Sequence, residues 1–375
     1  MSQNFEQFAD QVNEQLPKPK LTLDLTTGAE LIRQTIPPAR VIVEELFLEG
    51  LNILASKQKF GKSWLVLDLC LCVADGRPFL GFRTVKCRTV YLALEDGFRR
   101  LQTRMKKLLG DSAAPDNIHL GIQSHKTDTG LLEQLESFVK QYPDTGLIVI
   151  DTLAKVRGSS FGREGTYQTD YNEIGVLKSF ADKYHICLIL VTHLRKMPDE
   201  VDPFNEVIGT TAVTGTADAT MVLTREKRTS EITILHTTGR DIEQMEYELR
   251  FNRETCRWEN CGDVESLTEQ RERERYDSSP VVKTIKKLLA QSPQHEWTGK
   301  VKDLMEAGKF IAGVYLAVSD KALAQELSAL ERPLLENDGI LHRTVKNGNA
   351  GKIHKFCFEG TPQFIEADSS EPLPF

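Results

Sequence analysis

The chain has 375 residues, and its 47 Lys and Arg against 54 Asp and Glu give a net charge of −7. This acidic balance argues against a nonspecific nucleic-acid coat protein, although single segments can still be basic. No apolar run reaches the roughly 18 residues that a membrane span needs, and the N-terminal sequence MSQNFEQFAD is not a secretory signal. We therefore expect a cytoplasmic protein of two or three domains with no membrane partner.

Composition and periodicity predict five segments along the chain. A polar N-terminal extension is expected to pack on an α/β domain. That domain leads through a charged, solvated and at most partly helical linker, containing QRERERYDSSP, into a smaller domain and a terminal tail. In chain order the segments are 1–40, 41–258, 259–280, 281–360 and 361–375.

Short β-rich runs alternate with helical patterns between residues 41 and 258. Several runs, such as LIVI and ICLILV, are apolar on both faces, which is typical of central strands in a parallel sheet. The alternation predicts an α/β fold whose ligands bind at the carboxyl ends of the strands. The predicted strands are Leu51–Ala55, Thr89–Leu94, Ile118–Gly121, Leu147–Ile150, Ile186–Val191, Ala219–Leu223, Glu231–Thr237 and Tyr247–Asn252. The predicted helices are Ser63–Asp75, Phe98–Leu109, Gly130–Gln141 and Thr169–Tyr184.

The strongest local signal is NILASKQKFGKSWLVLDLCLCV, in which an apolar strand leads through a polar loop into a helix. Backbone N–H groups of such a loop bind phosphate, while Lys62 is placed to reach the β and γ phosphates and Ser63 to ligate Mg²⁺. The first glycine of the G-x-x-x-x-G-K-[ST] pattern is Ser56, and a strained backbone there would weaken nucleotide binding. The predicted nucleotide-binding residues are Ser56, Lys57, Gln58, Lys59, Phe60, Gly61, Lys62, Ser63 and Trp64.

Further polar residues follow the next strands in order. Asp151 can hold the Mg²⁺ shell, Glu95 of the pair Glu95-Asp96 can orient or deprotonate a water, and His193 can touch a γ phosphate. Arg240, in a turn after ITILHTT, can reach the nucleotide of a neighbouring subunit. Each has a structural alternative: helix caps for the carboxylates, a core position for the histidine and a surface ion pair for the arginine.

The pattern changes after residue 280. Helices are predicted over Val281–Gln291, Thr298–Ala307 and Ser319–Glu331, followed by β segments at Ile340–Val345 and Lys352–Phe358 joined by KNGNAG. Three helices and a hairpin outline a winged helix, in which Ser319–Glu331 would be the recognition helix. Residues 339–358 contain four basic residues and no acid, so the wing suits either DNA or a protein partner. The basic residues are Arg343, Lys346, Lys352 and Lys355.

The 41–258 segment resembles the RecA-like P-loop ATPases and, within them, the RepA-like plasmid replicative helicase family. The resemblance is carried by FGKSWLVLDLCLCVADGRPFLG, YLALEDGFRRLQTRM, LIVIDTLAKVRG, LILVTHLRK, TGTADATMVL and TTGRDIE. It implies an α/β RecA-like core with a mostly parallel sheet, here followed by the winged-helix-like domain. It also implies a homo-oligomeric ring, usually hexameric, that binds ATP and Mg²⁺ between subunits and single-stranded DNA in its channel.

The same resemblance implies roles for individual residues. Lys62 and Ser63 bind phosphate and Mg²⁺, Asp151 is the Walker B aspartate, and Glu95 is the catalytic carboxylate. His193 is the γ-phosphate sensor, and Arg240 is an arginine finger acting on the neighbouring subunit. The loops 158–169 and 196–211 face the channel, and their basic residues for DNA phosphates are Arg157, Arg163, Arg195 and Lys196.

Three hypotheses for function follow. The first is an ATP-driven motor on single-stranded DNA, a replicative helicase of a plasmid or mobile element. The second is a DNA-dependent ATPase that does not separate strands, such as a loader or a recombination or defence accessory. The third is a DNA-binding regulator with a degenerate ATPase fold, which the serine in the P-loop would explain.

Overall fold

The computed structural model describes residues 25–158, 167–195, 199, 201–209, 211–225, 227, 229–313, 315–346 and 352–359. Arg163 and Lys196 lie outside these residues, as does most of both predicted channel loops. Within them, no helix is both long and apolar enough to cross a lipid bilayer.

The helices of the described residues are α1 (Gly28–Arg33), α2 (Lys62–Asp75), α3 (Phe98–Leu109), α4 (Leu131–Gln141), α5 (Leu153–Val156), α6 (Tyr167–Tyr184), α7 (Thr211–Thr216), α8 (Val264–Ser278), α9 (Pro280–Gln291), α10 (Val301–Ala307) and α11 (Asp320–Asp338). A 3₁₀ turn spans Pro203–Glu206, and a π-helical turn spans Gly308–Ala312. The strands are β1 (Val41–Val43), β2 (Phe47–Leu48), β3 (Gly50–Ser56), β4 (Arg88–Ala93), β5 (Ile118–Gly121), β6 (Thr145–Asp151), β7 (Cys187–His193), β8 (Ala219–Thr224), β9 (Ile232–Gly239), β10 (Met245–Asn252), β11 (Arg257–Asp263), β12 (Glu296–Gly299), β13 (Ile340–Lys346) and β14 (Lys352–Phe358).

A nine-stranded sheet forms the centre of the larger domain, with the order β11-β10-β9-β8-β3-β7-β6-β4-β5. The strands from β8 to β5 in this order are parallel, and β9, β10 and β11 extend the sheet antiparallel. One apolar cluster packs α2 and α3 on one face, and a second packs α4, α5 and α6 on the other. The predicted α/β fold with a mostly parallel sheet is therefore confirmed, and all eight strands predicted within it are present.

The segment expected to be an irregular linker is ordered. Its first residues belong to β11, which the sequence did not predict, and the rest form α8, capped by the side chain of Asp263 on the amide of Ser266. Arg271 of α8 pairs at 2.7 Å with Glu248, whose side chain is buried in the sheet domain. Tyr276 at the other end is buried in the core of the next unit, so α8 is anchored at both ends.

The N-terminal segment also differs from expectation. Helix α1 has a complete capping box between Thr27 and Glu30, yet none of its residues is buried. Ile32 is 86% exposed and Ile36 is 62% exposed, so this part of the extension does not pack on the domain as predicted. A helix of this length is unstable alone in water, because nucleation costs more than a few hydrogen bonds return.

The C-terminal module, Pro280–Phe358, has its own apolar core and a three-stranded antiparallel sheet in the order β12-β14-β13. Two predicted helix boundaries are wrong. The residues before α10 form strand β12, and α11 continues through Pro333 to Asp338 instead of ending at Glu331. Leu334 is fully buried in the module's core, and its burial outweighs the lost helical hydrogen bond at the proline.

Two histidines of the module's hairpin are buried against each other. The Nε2 atom of His342 lies 2.9 Å from Nδ1 of His354, and the His342 ring stacks on Phe356 at 4.6 Å. Burial and the neighbouring imidazole lower the pKa of His342 to about 4, and burial also lowers the pKa of His354. Both rings are therefore neutral in the folded module near neutral pH.

We expect acid to destabilise this module. The folded pKa of His342 lies below the unfolded value, so its contribution is complete above pH 6.5 and is lost as the pH falls from 6.5 toward 4. At pH 5 the loss attributable to His342 is about 2 kcal/mol in the free energy of unfolding. Urea unfolding at pH 7.5 and pH 5.0 measures it. His342→Phe, which keeps a ring on Phe356, should lose less; an equal loss would contradict this explanation.

Candidate nucleotide site

The carboxyl ends of four neighbouring strands meet at one edge of the sheet. Ser56 at the end of β3 pairs with His193 at the end of β7, and Ala93 of β4 pairs with Asp151 at the end of β6. Because these strands are parallel, the loops that follow them all open on this edge. The sheet therefore brings together the P-loop, residues 56–63, and the polar strand ends that the sequence singled out.

Lys62 folds back into the P-loop. Its Nζ atom donates to the carbonyl of Ser56 at 2.7 Å, to the hydroxyl of Ser56 at 3.0 Å and to the carbonyl of Lys57 at 3.4 Å. It also lies 3.0 Å from Nδ1 of His193. Burial lowers the pKa of Lys62 to about 8, against the opposing charges of Asp151 and Glu95. The ammonium is thus desolvated and surrounded by acceptors that a phosphate group can replace.

Ser63 and Asp151 form the candidate Mg²⁺ position. The Ser63 hydroxyl donates to Oδ2 of Asp151 at 3.0 Å, and the Tyr91 hydroxyl donates to the same oxygen at 2.8 Å. Burial raises the pKa of Asp151, while these two hydrogen bonds and the charge of Lys62 oppose the rise. A hydroxyl and one carboxylate suit Mg²⁺, which keeps most of its waters and takes its remaining ligands from substrate phosphates.

The two acids after β4 have different surroundings. Asp96 forms ion pairs with Arg100 and Arg104 of α3, and only 8% of its side chain is exposed. Glu95 is exposed, and its charge acts on Lys62, Asp151 and His193. The structural alternative therefore applies to Asp96, whereas Glu95 faces the space in front of the P-loop.

His193 accepts a hydrogen bond from Lys62. Burial and the neighbouring ammonium lower the pKa of His193, so the imidazole is neutral near neutral pH. Because the ammonium has no acceptor of its own, Nδ1 must accept and the ring proton must sit on Nε2. The interior-position alternative is incomplete, since this ring is only half-buried and points at the phosphate lysine.

Ser56 is not strained by replacing the usual first glycine. It is the last residue of β3, and it is not among the residues with positive φ. The left-handed positions of the loop are instead Lys59 and Gly61, with φ of 63° and 88°. A Cβ on Gly61 would also approach Trp258 to 3.2 Å, so the loop needs glycine at this position.

Two residues beside the P-loop were missed by the sequence analysis. Arg225 after β8 lies over the rings of Phe60, at 5.0 Å, and of Trp258 in β11, at 5.5 Å. No local motif marks either residue, because they reach the loop only through the pairing of β8 and β11 into the sheet.

Arg240 lies at the opposite end of the sheet from the P-loop of its own chain. It follows β9, whose last residue Gly239 pairs with the first residue of β8. Its guanidinium is 58% exposed and lies 3.6 Å from Asp218, with a 3.4 Å hydrogen bond to the carbonyl of Gly215. A length of strand therefore separates Arg240 from Lys62, so it cannot serve the site of the same subunit.

The predicted DNA-binding residues have unequal access. Arg157 is only 5% exposed, and its guanidinium pairs at 2.6 Å with buried Asp170 of α6. Its prediction as a phosphate contact is therefore corrected: the side chain joins the end of β6 to α6 and is not available to DNA. Arg195 is exposed and donates to the carbonyl of Gly209 at 2.6 Å.

The basic hairpin of the C-terminal module exposes Arg343, Lys352 and Lys355. Arg343 and Lys355 are cross-strand partners, and the Cα atoms of Lys346 and Lys352 are paired as well. Like charges in such opposed positions repel each other unless an anion lies between them.

The chain after β7 is tied to the P-loop. The amide of Ile208 donates to the carbonyl of His193 at 3.0 Å, and the amide of Leu194 donates to the carbonyl of Ser56 at 3.2 Å. Glu206 is buried and its Oε2 lies 3.8 Å from Nζ of Lys57. The described part of the second predicted channel loop, 199–209, therefore contacts the phosphate loop directly.

With this geometry established, sequence comparison supplies the family. Residues 17–199 match a family model described as an AAA domain, and the matched segment contains the P-loop, Glu95, Asp151 and His193. This part of the chain is a RecA-like P-loop ATPase domain. The match spans 183 residues, slightly under half of the 375-residue chain.

Two solved structures are among those that the chain matches. One, whose title describes an ATPase domain, is 14% identical, with a TM-score of 0.47, and the match covers 69% of this chain and 98% of that chain. The other, a DnaB-like replicative helicase and its interactions with primase, is 14% identical, with a TM-score of 0.46, covering 67% of this chain and 66% of that one. No curated protein sequence matches the chain.

The backbone of Ser56 gives a first prediction about the site. Because its φ is not left-handed, Ser56→Gly should not improve nucleotide affinity, and it should cost about 0.5–1 kcal/mol of stability through chain entropy. Titration with a fluorescent ATP analogue and urea unfolding measure the two effects. A tenfold or larger gain in nucleotide affinity would show instead that the serine weakens the loop.

Proposed function

We propose that the protein is an ATP-driven motor on single-stranded DNA, a replicative helicase of a plasmid or mobile element of the RepA-like kind. The observation that carries the proposal is the convergence of Lys62, Ser63, Asp151, Glu95 and His193 at one sheet edge. Each of these side chains is of the type that phosphoryl transfer to water needs at that place.

The side chains divide the work of hydrolysis. Ser63 and Asp151 would hold Mg²⁺, which when bound bridges phosphate oxygens and neutralises their charge. Lys62 exchanges its carbonyl acceptors for phosphate oxygens, and its charge stabilises the transition state. Glu95, exposed and without the ion pairs that occupy Asp96, orients the attacking water and accepts its proton.

The lysine exchange supplies a signal to the loop after β7. When Lys62 turns to a phosphate, His193 loses the ammonium that its Nδ1 accepts from, and its ring becomes available to the γ phosphate. The carbonyl of His193 holds Ile208, and Lys57 of the P-loop faces Glu206. Nucleotide state is therefore felt in the loop that is proposed to touch DNA.

A ring of subunits accounts for two features that one chain leaves unused. Arg240 is exposed far from its own P-loop, where it can complete the site of a neighbouring subunit. Helix α1 buries none of its residues and needs a surface to pack on. Both fit a homo-oligomer with head-to-tail interfaces, hexameric in the proposed form.

DNA contacts are proposed at two places. Arg195 lies two residues beyond His193, on the loop side of the nucleotide site. In the C-terminal module the helix–strand–helix–helix–hairpin order is that of a winged helix, with Arg343, Lys352 and Lys355 on the wing. These cations would contact the phosphate backbone without reading sequence.

Strand displacement tests the motor directly. We expect the wild type to separate a forked duplex with ATP, and Lys62→Ala to lose both ATP hydrolysis and displacement by at least about a hundredfold. Lys107→Ala, an exposed lysine at the end of α3, is the matched control and should behave as wild type. DNA-stimulated hydrolysis without any displacement would favour the non-helicase ATPase, and nucleotide binding without hydrolysis would favour the regulator.

Mixing two inactive variants tests the ring. Arg240→Ala should lower the rate of hydrolysis by at least about a hundredfold. Mixed with Lys62→Ala, it should regain activity, because roughly a quarter of interfaces would combine an intact P-loop with an intact arginine. The double variant Lys62→Ala/Arg240→Ala mixed with Arg240→Ala provides no arginine and should restore nothing. Full activity of Arg240→Ala alone would contradict the role in trans.

A further inference from the structure

Two tyrosines at the start of α6 form an exposed aromatic pair. The rings of Tyr167 and Tyr171 are nearly parallel, at 14°, with centroids 6.2 Å apart. Tyr167 is 55% exposed and Tyr171 is 49% exposed, although aromatic rings of this size are usually more buried. Position 175, one turn further along the same stripe, is a glycine with open space at its Cβ position.

The charged side chains nearest this pair on α6 are already compensated. Asp170 is buried in its ion pair with Arg157, and Glu173 accepts from the amide of Gly158 at 2.9 Å. The exposed neighbours of the rings are the amides Gln168 and Asn172, which bond each other at 3.0 Å. An aromatic surface bordered by amides suits a nucleobase, whose face stacks and whose edge forms hydrogen bonds, better than it suits a phosphate.

The pair is fixed to the nucleotide site at both sides. Arg157, six residues after Asp151, holds Asp170 between the two tyrosines in sequence. A Cβ at position 209 would lie 3.4 Å from Asp170, and the carbonyl of that residue accepts the guanidinium of Arg195. An exposed cation for a DNA phosphate thus lies beside the rings, two residues from His193.

We propose that Tyr167 and Tyr171 form a stacking platform for bases of single-stranded DNA, with Arg195 contacting the backbone beside it. This rests on the proposed function, because it assigns the DNA contact of the same motor. Since every base has an aromatic face, the platform would bind strands without sequence preference. Its position between the exits of β6 and β7 would couple base stacking to the ends of the strands that carry Asp151 and His193.

Oligonucleotides with and without bases separate stacking from charge. Anisotropy titrations compare a labelled oligo-dT with an abasic strand of the same length and charge. We expect the wild type to bind oligo-dT about tenfold or more tightly than the abasic strand. Tyr167→Ala/Tyr171→Ala should lose that preference while keeping its affinity for the abasic strand and its salt dependence.

Two controls accompany the alanine variant. Tyr167→Phe/Tyr171→Phe keeps the rings and should keep the preference, and Val176→Ala removes an exposed side chain of α6 outside the platform. An unchanged preference in the alanine variant, or an equal loss for both strands, would overturn the platform. Loss of the oligomer in sedimentation with an unchanged preference would assign the rings to a subunit interface instead. If the wild type binds neither strand, the proposed function fails and the platform fails with it.

Discussion

A buried lysine ammonium sets the terms for the rest of the nucleotide site. Taking such a charge out of water costs several kcal/mol unless acceptors surround it. Lys62 finds two carbonyls and a hydroxyl at the end of β3, and an imidazole at the end of β7. These acceptors exist in one place only because β3 lies beside β7 in a parallel sheet, so the strand order is what makes the lysine tolerable.

The same contacts make the site responsive. In the free protein, the lysine is held by groups of the P-loop itself and by His193. A phosphate that replaces the carbonyls must also release the histidine, whose carbonyl anchors the loop at Ile208. A change confined to one hydrogen-bond network therefore reaches the segment proposed to touch DNA, with no need for a long pathway. Ser56 belongs to this network because its hydroxyl adds one acceptor.

Local patterns in the sequence were sufficient for the parts of the fold that depend on short segments. The apolar runs predicted every parallel strand, and the G-K-S loop and the polar strand ends predicted Lys62, Asp151 and Glu95. Residues whose role depends on a distant partner were not predictable. Arg157 looked like a DNA contact until Asp170 buried it, and Tyr91 gave no sign that its hydroxyl reaches Asp151.

Boundaries failed for the same reason. The charged segment after residue 259 has the composition of a linker, but it is ordered by a strand partner in β10 and by burial of Tyr276 at its end. Proline predicted an early end to α11, and the buried side chain of Leu334 prevented it. In each case, long-range packing determined the structure, and neither composition nor periodicity contains that information.

The most direct measurement is steady-state ATP hydrolysis by the purified full-length protein, with Mg²⁺, in the presence and absence of single-stranded DNA. The coupling from Lys62 through His193 to the loop after β7 predicts measurable hydrolysis that DNA stimulates several-fold. Hydrolysis that DNA leaves unchanged would contradict the coupling. No hydrolysis above that of Lys62→Ala under either condition would contradict the assignment of the nucleotide site itself.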